Sequence, residues 1–320
     1  MELPAALQAG INSVLQGVSL ADLQNAAATL SRRYRAEVMD GRLHIGGEPA
    51  ARAYLATRMP ATYAAVRQSF EMAAEISPEF APASMLDVGA GPGTVLWAAA
   101  DCWPGLDRAD MIEASPFIRQ FGEQLAAPST VMQRHWRTGR AEDELKKAEA
   151  ADLVTLAYVL DELPPATQAS LVDKLWLLTK GMLVLIEPGT PAGTRRILAA
   201  RERLLALGAH LSGPCAHSHA CPLVEPDWCH FAARVARSRM HRLAKGAEVP
   251  FEDEKFIFIA ATRWHGNSLP ARVLAPPRSG SGKVTLKLCQ ADGQVQNRML
   301  TRRDGQSYKS ASRADWGDAL

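Results

Sequence analysis

The sequence has no long apolar run. No stretch approaches the roughly 18 apolar residues of a membrane-spanning helix, so we expect no membrane partner. The N-terminus carries Glu2 and lacks both a basic start before an apolar core and an Arg-rich, acid-free presequence. These absences predict a cytoplasmic location.

Cysteine is also scarce, with five residues in a chain of 320. An odd number of cysteines without a secretion signal makes a disulfide framework unexpected, so metal binding or catalysis is the better default. Cys102 stands alone after an apolar helical segment, where we expect it to be a small buried hydrophobe.

The chain has little net charge, +2, but the charge is unevenly divided. From His265 to the end there are nine Lys or Arg against four Asp or Glu, a balance of +5, whereas the preceding residues carry 27 against 30, a balance of −3. A basic segment of short strand-like pieces fits a binder of phosphate backbones. Its basic residues are Arg272, Arg278, Lys283, Lys287, Arg298, Arg302, Arg303, Lys309 and Arg313.

The stretch from Met85 to Thr94, Met-Leu-Asp-Val-Gly-Ala-Gly-Pro-Gly-Thr, reads as a strand, a tight turn and the start of a helix. Glycines suit such a turn because the backbone leaves the sheet sharply and approaches a ligand at the helix N-terminus. A dinucleotide fingerprint needs glycine at its sixth position, which here is Thr94. The pattern Asp-x-Gly-x-Gly-x-Gly instead resembles the first motif of class I S-adenosylmethionine-dependent methyltransferases.

Acidic residues follow two further predicted strands. Glu113 ends the strand that begins at Ala109, 20 residues after Gly93, where an acceptor for a ribose diol belongs. Asp161 ends the continuous apolar strand 152–160, and we expect Asp161 or Glu162 on the substrate side. The predicted cofactor-binding residues are Asp87, Gly89, Gly91, Gly93, Glu113 and Asp161.

Alternating strands and helices with short connections predict an α/β fold, a doubly wound sheet of the class I methyltransferase (Rossmann-like) type. The segment 181–187 is another buried strand, and 255–263 fits the antiparallel strand that completes such a sheet. We predict an N-terminal helical region over 1–80, with a hairpin or loop near 40–48. A methyltransferase-like domain over 81–264 then contains a cysteine-rich insertion at 210–232, and a small basic β module covers 265–320.

The insertion places Cys215, Cys221 and Cys229 within 15 residues, among His, Pro, Asp and Glu. Buried thiols without a ligand favour apolar, periodic neighbours, so this composition favours metal binding. The spacing matches neither paired C-x2-C zinc knuckles nor compact ferredoxin runs.

The chain resembles the methyltransferase-like proteins associated with assembly of the small ribosomal subunit, found in mitochondria and in bacteria. The stretches that carry this resemblance are 30–35, 58–63, the glycine turn, Pro214-Cys215 and 228–231. The resemblance implies a [4Fe-4S] cluster held by Cys215, Cys221, Cys229 and Cys289. Zinc is the alternative, because His217, His219 or His230 could complete a Cys3His site without Cys289.

The resemblance also implies the small ribosomal subunit or its precursor rRNA as partner, and S-adenosylmethionine as cofactor. It leaves two functions open: methyl transfer to the subunit or its rRNA, or a cofactor-binding assembly factor without turnover. A zinc-containing methyltransferase with another substrate is a further alternative. No residue is assigned as catalytic, and we expect a monomer.

Overall fold

The computed structural model describes residues 1–36, 43–267 and 269–320. The N-terminal region is helical, as predicted, and Ser19 caps its second helix by accepting the backbone N–H of Asp22. The hairpin or loop expected near 40–48 lies partly outside the described residues. The helices of this region are α1 (Ala5–Leu15), α2 (Leu20–Arg35), α3 (Glu48–Thr57) and α4 (Met59–Ile76).

Eight strands form the main sheet in the order β3-β2-β1-β4-β5-β8-β6, and β7 also pairs with β8. They are β1 (Ser84–Val88), β2 (Arg108–Glu113), β3 (Gln133–Thr138), β4 (Ala151–Ala157), β5 (Thr179–Pro188), β6 (His210–Leu211), β7 (Phe231–Ala236) and β8 (Phe251–Thr262). Strands β1 to β5 are mutually parallel, whereas β8 runs antiparallel to β5. This arrangement confirms the predicted fold class.

Helices connect the parallel strands. The strand order runs from β1 outward in two directions, so right-handed crossovers place these helices on both faces of the sheet. No helix in the described part of the chain is long and apolar enough to cross a bilayer. The connecting helices are α5 (Thr94–Cys102), α6 (Pro116–Ala126), α7 (Ala141–Glu144) and α8 (Pro165–Leu177). Helix α9 (Pro191–Ala206) follows β5, and α10 (Arg239–Lys245) joins the antiparallel strands β7 and β8.

The C-terminal residues form a second, four-stranded sheet with its own small core of Val273, Val284, Leu286, Leu288 and Leu300. The stretch 276–282 contains one of its strands. The elements are β9 (Ala271–Val273), β10 (Arg278–Gly280), β11 (Lys283–Gln290), β12 (Val295–Thr301) and α11 (Gln306–Ala311).

A buried carboxyl group lies at the centre of the main sheet. Asp87 of β1 is fully buried, and one of its oxygens accepts the hydroxyl of Thr155 on β4 at 2.7 Å. Burial raises the pKa of Asp87 to about 7; the Thr155 hydrogen bond opposes this rise, and the charge of Glu113 adds to it. A carboxyl whose pKa is raised on folding stabilises the fold at low pH, and this contribution is lost as the pH rises through the folded value.

We therefore predict that Asp87→Asn changes the pH dependence of stability. Relative to the unchanged protein, the variant should become more stable by roughly 2–3 kcal/mol of unfolding free energy between pH 5 and pH 8, because only the aspartate must ionise inside the sheet. Urea denaturation at both pH values without cofactor measures this difference. The control is Asp107→Asn, at an exposed aspartate. An equal offset for Asp87→Asn at both pH values would contradict the raised pKa.

Candidate cofactor cavity and cysteine site

The glycine turn after β1 has the backbone that its sequence predicts. Gly89, Gly91 and Gly93 have φ angles of 73°, 55° and 78°, in the left-handed region that disfavours side chains. A Cβ at Gly89 would lie 2.4 Å from Cγ2 of Val159, whereas one at Gly91 would meet open space. Gly89 and Gly91 line a cavity of 1460 Å³, and Gly93 lies just outside its lining as the N-cap of α5.

Glu113, at the end of β2, holds this turn in place. Its carboxylate accepts the backbone N–H of Gly91 at 2.8 Å and that of Ser115 at 2.7 Å. Burial raises the pKa of Glu113, and these amide donors oppose the rise. Glu113 lines the cavity beside Gly91, and its oxygens retain lone pairs for a further donor. The geometry can therefore hold a ribose diol close to the turn.

Two other predicted residues occupy different places. Asp87 does not line the cavity; its side chain is buried within the sheet, where it accepts the hydroxyl of Thr155. Asp161 does line the cavity, in the short helix Leu160–Glu162 that follows β4. The structure thus brings Gly89, Gly91, Glu113 and Asp161 to one cavity, whereas Asp87 and Gly93 do not line it.

Buried acids cluster around this helix. Glu187 of β5 accepts the backbone N–H of Leu160 at 3.1 Å and the Nε–H of Arg196 at 2.6 Å. Burial raises the pKa of Glu187 to about 8, and the neighbouring Asp161 adds to it. Burial, followed by the charges of Asp161 and Glu113, likewise raises the pKa of Glu162 to about 8. Glu162 lines the cavity and lies 3.8 Å from Nε2 of His44.

The cavity is also lined by residues that the sequence did not mark as functional. Tyr158, directly after β4, has a φ angle of 60°, a left-handed conformation otherwise seen only at glycines among the described residues. Its hydroxyl lies 3.4 Å from Glu254 of β8, which also pairs with Arg58 at 3.1 Å. Tyr34 and Tyr54 complete an aromatic wall. Arg58 lies in one of the stretches that carry the family resemblance, which is the one signal that could have identified it.

All four cysteines of the predicted set line a second, smaller cavity of 30 Å³. Cys289 comes from β11 of the C-terminal sheet, so this cavity lies where that sheet meets the insertion. Burial raises the pKa of Cys229 well above its ordinary value, and its neighbours Cys215, Cys221 and Cys289 raise it further. Cys102 is not among the lining residues.

The histidines of the zinc alternative differ in their distance from the cysteine cavity, although His217 and His219 stack with ring centroids 5.7 Å apart. His217 lines the cavity, with its Nε2 3.3 Å from Sγ of Cys289. His219 is exposed, and His230 stacks on Trp228 with ring centroids 5.2 Å apart. Within 1–36, 43–267 and 269–320, no three His, Cys, Asp or Glu side chains are arranged to hold a single metal ion.

The basic C-terminal segment divides into two groups of cations. Arg272 is buried and pairs with Glu75, and Lys287 pairs with Asp227, so these two are not free to meet phosphates. The exposed members are Arg278, Lys283, Arg298, Arg302, Arg303, Lys309 and Arg313.

Several solved methyltransferases are similar to this chain at low identity. The plantazolicin methyltransferase BpumL in complex with S-adenosylhomocysteine has a TM-score of 0.43 and 10% identity, with 77% of this chain and 98% of that chain covered. The precorrin-6y C5,15-methyltransferase of Geobacter metallireducens has a TM-score of 0.41 and 16% identity, with coverages of 60% and 89%. The magnesium protoporphyrin IX methyltransferase of Synechocystis with bound S-adenosylhomocysteine has a TM-score of 0.40 and 13% identity, with coverages of 73% and 94%.

A human protein is a closer match by sequence. The ribosome assembly protein METTL17, mitochondrial, of Homo sapiens is 30% identical over 292 residues. This alignment covers 83% of the chain and 61% of the human protein, so the chain spans about three fifths of that relative's length.

A family model described as "Mitochondrial small ribosomal subunit Rsm22" matches residues 48–320. Both this description and the name of the human relative are mitochondrial, so the predicted cytoplasmic location is wrong. That prediction rested on the composition of the first residues, which does not decide the compartment. The predicted family is confirmed: the chain belongs to the Rsm22 family of mitochondrial small ribosomal subunit proteins.

Proposed function

We propose that this protein binds S-adenosylmethionine at the glycine turn and methylates RNA of the small ribosomal subunit during its assembly, with a structural [4Fe-4S] cluster at its four clustered cysteines. The observation that carries the proposal is the left-handed turn at Gly89 and Gly91 opening beside Glu113 into a large cavity, in a chain of the Rsm22 family.

The size of the cavity supports two ligands. Sites for one small molecule typically occupy about 300–1,000 Å³, and this cavity measures 1460 Å³. A cofactor at the turn would leave the part of the cavity lined by Tyr158, Arg58 and Glu254 for the methyl acceptor. Aromatic rings beside a paired guanidinium and carboxylate suit a planar group that both donates and accepts hydrogen bonds, such as a nucleobase.

When bound, the cofactor supplies a methyl group on a sulfonium, which needs little activation. The task of the protein is to align the acceptor with that carbon and to exclude water. Glu162, whose pKa is raised to about 8, lines the same cavity and can exchange a proton near neutral pH.

A cofactor-binding assembly factor without turnover is the second candidate. One observation favours it: Arg58, Glu254 and Tyr158 already pair with one another, so the polar groups proposed to face the methyl acceptor are satisfied within the protein. The human relative is named as an assembly protein and not as an enzyme.

The cluster assignment is supported by the shared cavity of Cys215, Cys221, Cys229 and Cys289. Four thiolates are the usual ligands of a [4Fe-4S] cluster, and soft ligands favour it over harder metal ions. Zinc remains the alternative metal, with His217 the only one of the three candidate histidines that lines the cavity.

The cofactor proposal predicts that Gly91→Arg abolishes binding. A side chain at Gly91 would point into open cavity and would also strain a φ of +55°, so the affinity should fall by at least about 100-fold, roughly 2.7 kcal/mol. Calorimetry with S-adenosylhomocysteine measures it. Gly105→Arg is the matched control because Gly105 is exposed, has open space and has no left-handed φ. No binding by the unchanged protein, or equal binding by Gly91→Arg, would refute this site.

The cluster proposal predicts brown protein after anaerobic purification, with iron and acid-labile sulfide. Cys289→Ser should lose the iron because a serine hydroxyl is a poor ligand for it, whereas Cys102→Ser should keep it because Cys102 lies outside the cavity. His230→Ala should also keep it. Colourless protein with one zinc per chain, unaffected by Cys289→Ser, would instead establish the zinc alternative.

The partner proposal predicts salt-sensitive binding to small ribosomal subunits or their precursor RNA. Each neutralised phosphate contributes roughly 0.7–0.9 to the slope of log affinity against log salt. Reversing exposed Arg302 and Arg303 to Glu should therefore weaken binding and flatten the slope by about 2. Reversing Lys146 and Lys147, an adjacent exposed pair outside this segment, is the control. Failure to co-sediment with free or precursor subunits at low salt would remove the ribosomal partner.

A further inference from the structure

Two arginines are buried at the cysteine cavity. Arg201 of α9 is 2% exposed and Arg272 of β9 is 1% exposed, and both line the cavity together with the four cysteines. A guanidinium is always charged in proteins, so both positive charges are held inside. Buried charges are costly unless they are paired and hydrogen-bonded. Each arginine therefore needs a negative partner.

The charge of Arg272 is partly compensated within the protein. Its Nη1 donates to Glu75 at 3.0 Å and to the carbonyl of Gly317 at 2.7 Å, and its Nε donates to the carbonyl of Pro214 at 3.1 Å. The side chain of Glu75 is 46% exposed, so water screens its charge. The buried Nη2 of Arg272 has no acceptor among the described residues.

Arg201 has only neutral partners. Its Nη2 donates to the backbone carbonyls of His217 at 2.9 Å and His219 at 2.7 Å. Across the described ranges no carboxylate lies within ion-pair distance of it, and its buried Nε has no acceptor. This guanidinium organises the cysteine loop, but its charge is not compensated by any carboxylate there.

Neutral thiols cannot supply the missing charge, whereas metal-bound thiolates can. Four thiolates around a [4Fe-4S] cluster leave a net negative centre, which becomes more negative when it accepts an electron. We propose that Arg201 and Arg272 are the positioning residues of this centre: they compensate its negative charge, retain it and raise its reduction potential. The proposal rests on the proposed cluster.

The two arginines should affect the reduction potential of the centre to different extents. Arg201 lacks a carboxylate partner, so no carboxylate offsets the effect of its charge on the centre. Arg272 shares its charge with Glu75. A nearby positive charge stabilises the reduced centre more than the oxidised one, because the reduced centre is more negative. Removing Arg201 should therefore lower the potential more than removing Arg272.

The test compares Arg201→Met, which keeps length and loses charge, with Arg203→Met, an exposed arginine of the same helix that pairs with Asp173. Anaerobic proteins are assayed for iron and sulfide, for iron release to a chelator, and for potential by dithionite titration followed by electron paramagnetic resonance. For Arg201→Met we expect a more negative potential and iron affinity about 10–100-fold lower. Arg203→Met should match the unchanged protein, and Arg201→Lys should recover most of the potential.

The potential separates charge compensation from a merely structural role. Reduced iron content with an unchanged potential in Arg201→Met would show that Arg201 only shapes the loop, and would overturn the proposal. If Arg201→Met fails to fold, Arg201→Gln and Arg272→Met provide the same comparison. If the unchanged protein contains zinc, the cluster assignment fails by itself, and equal zinc release by Arg201→Met would overturn the arginine role. An unchanged protein without metal would overturn both.

Discussion

The large cavity depends on how the backbone leaves β1. Three left-handed glycines at alternate positions turn the chain away from the sheet, and Glu113 of the adjacent strand fixes the turn by accepting the N–H groups of Gly91 and Ser115. Because parallel strands end at one edge, the segments that follow β4 and β5 meet the turn there.

Helix α9 contributes to both sites. Its N-cap, Thr190, lines the large cavity and accepts the N–H of Gly193, and Arg196 of the helix donates to buried Glu187 of β5. On the same helix, Thr194 donates to the carbonyl of Cys229 at 2.9 Å, and Arg201 lies at the cysteine cavity. The cofactor cavity and the cysteine site therefore share one rigid element.

The sequence predicts those features that depend on local patterns. Apolar strands, the glycine turn and the grouping of Cys215, Cys221 and Cys229 are each readable within about 15 residues, and the structure places all three cysteines at one cavity. The partnership of Arg58 with Glu254 is not readable, because 196 residues separate them and only folding brings them together. The left-handed backbone of Tyr158 likewise has no sequence signal.

Burial also separates residues that composition treats alike. The charge balance of the tail includes Arg272 among the cations predicted to bind phosphates. The structure instead buries this residue beside the cysteines. Similarly, Asp87 is the acid of the glycine motif, and the pattern groups it with the predicted cofactor-binding residues. The structure instead buries it within the sheet. Residue type alone does not show whether a side chain is buried or faces a ligand.

We propose that the large cavity performs methyl transfer to small-subunit RNA. The direct measurement is incubation of the purified protein with S-adenosylmethionine labelled in its methyl group and immature small ribosomal subunits, followed by separation of RNA from protein. We expect label in one RNA nucleotide, and none when Gly91→Arg replaces the unchanged protein. Unlabelled RNA, from a protein shown to bind both the cofactor and the subunits, would contradict methyl transfer and leave a cofactor-binding assembly factor.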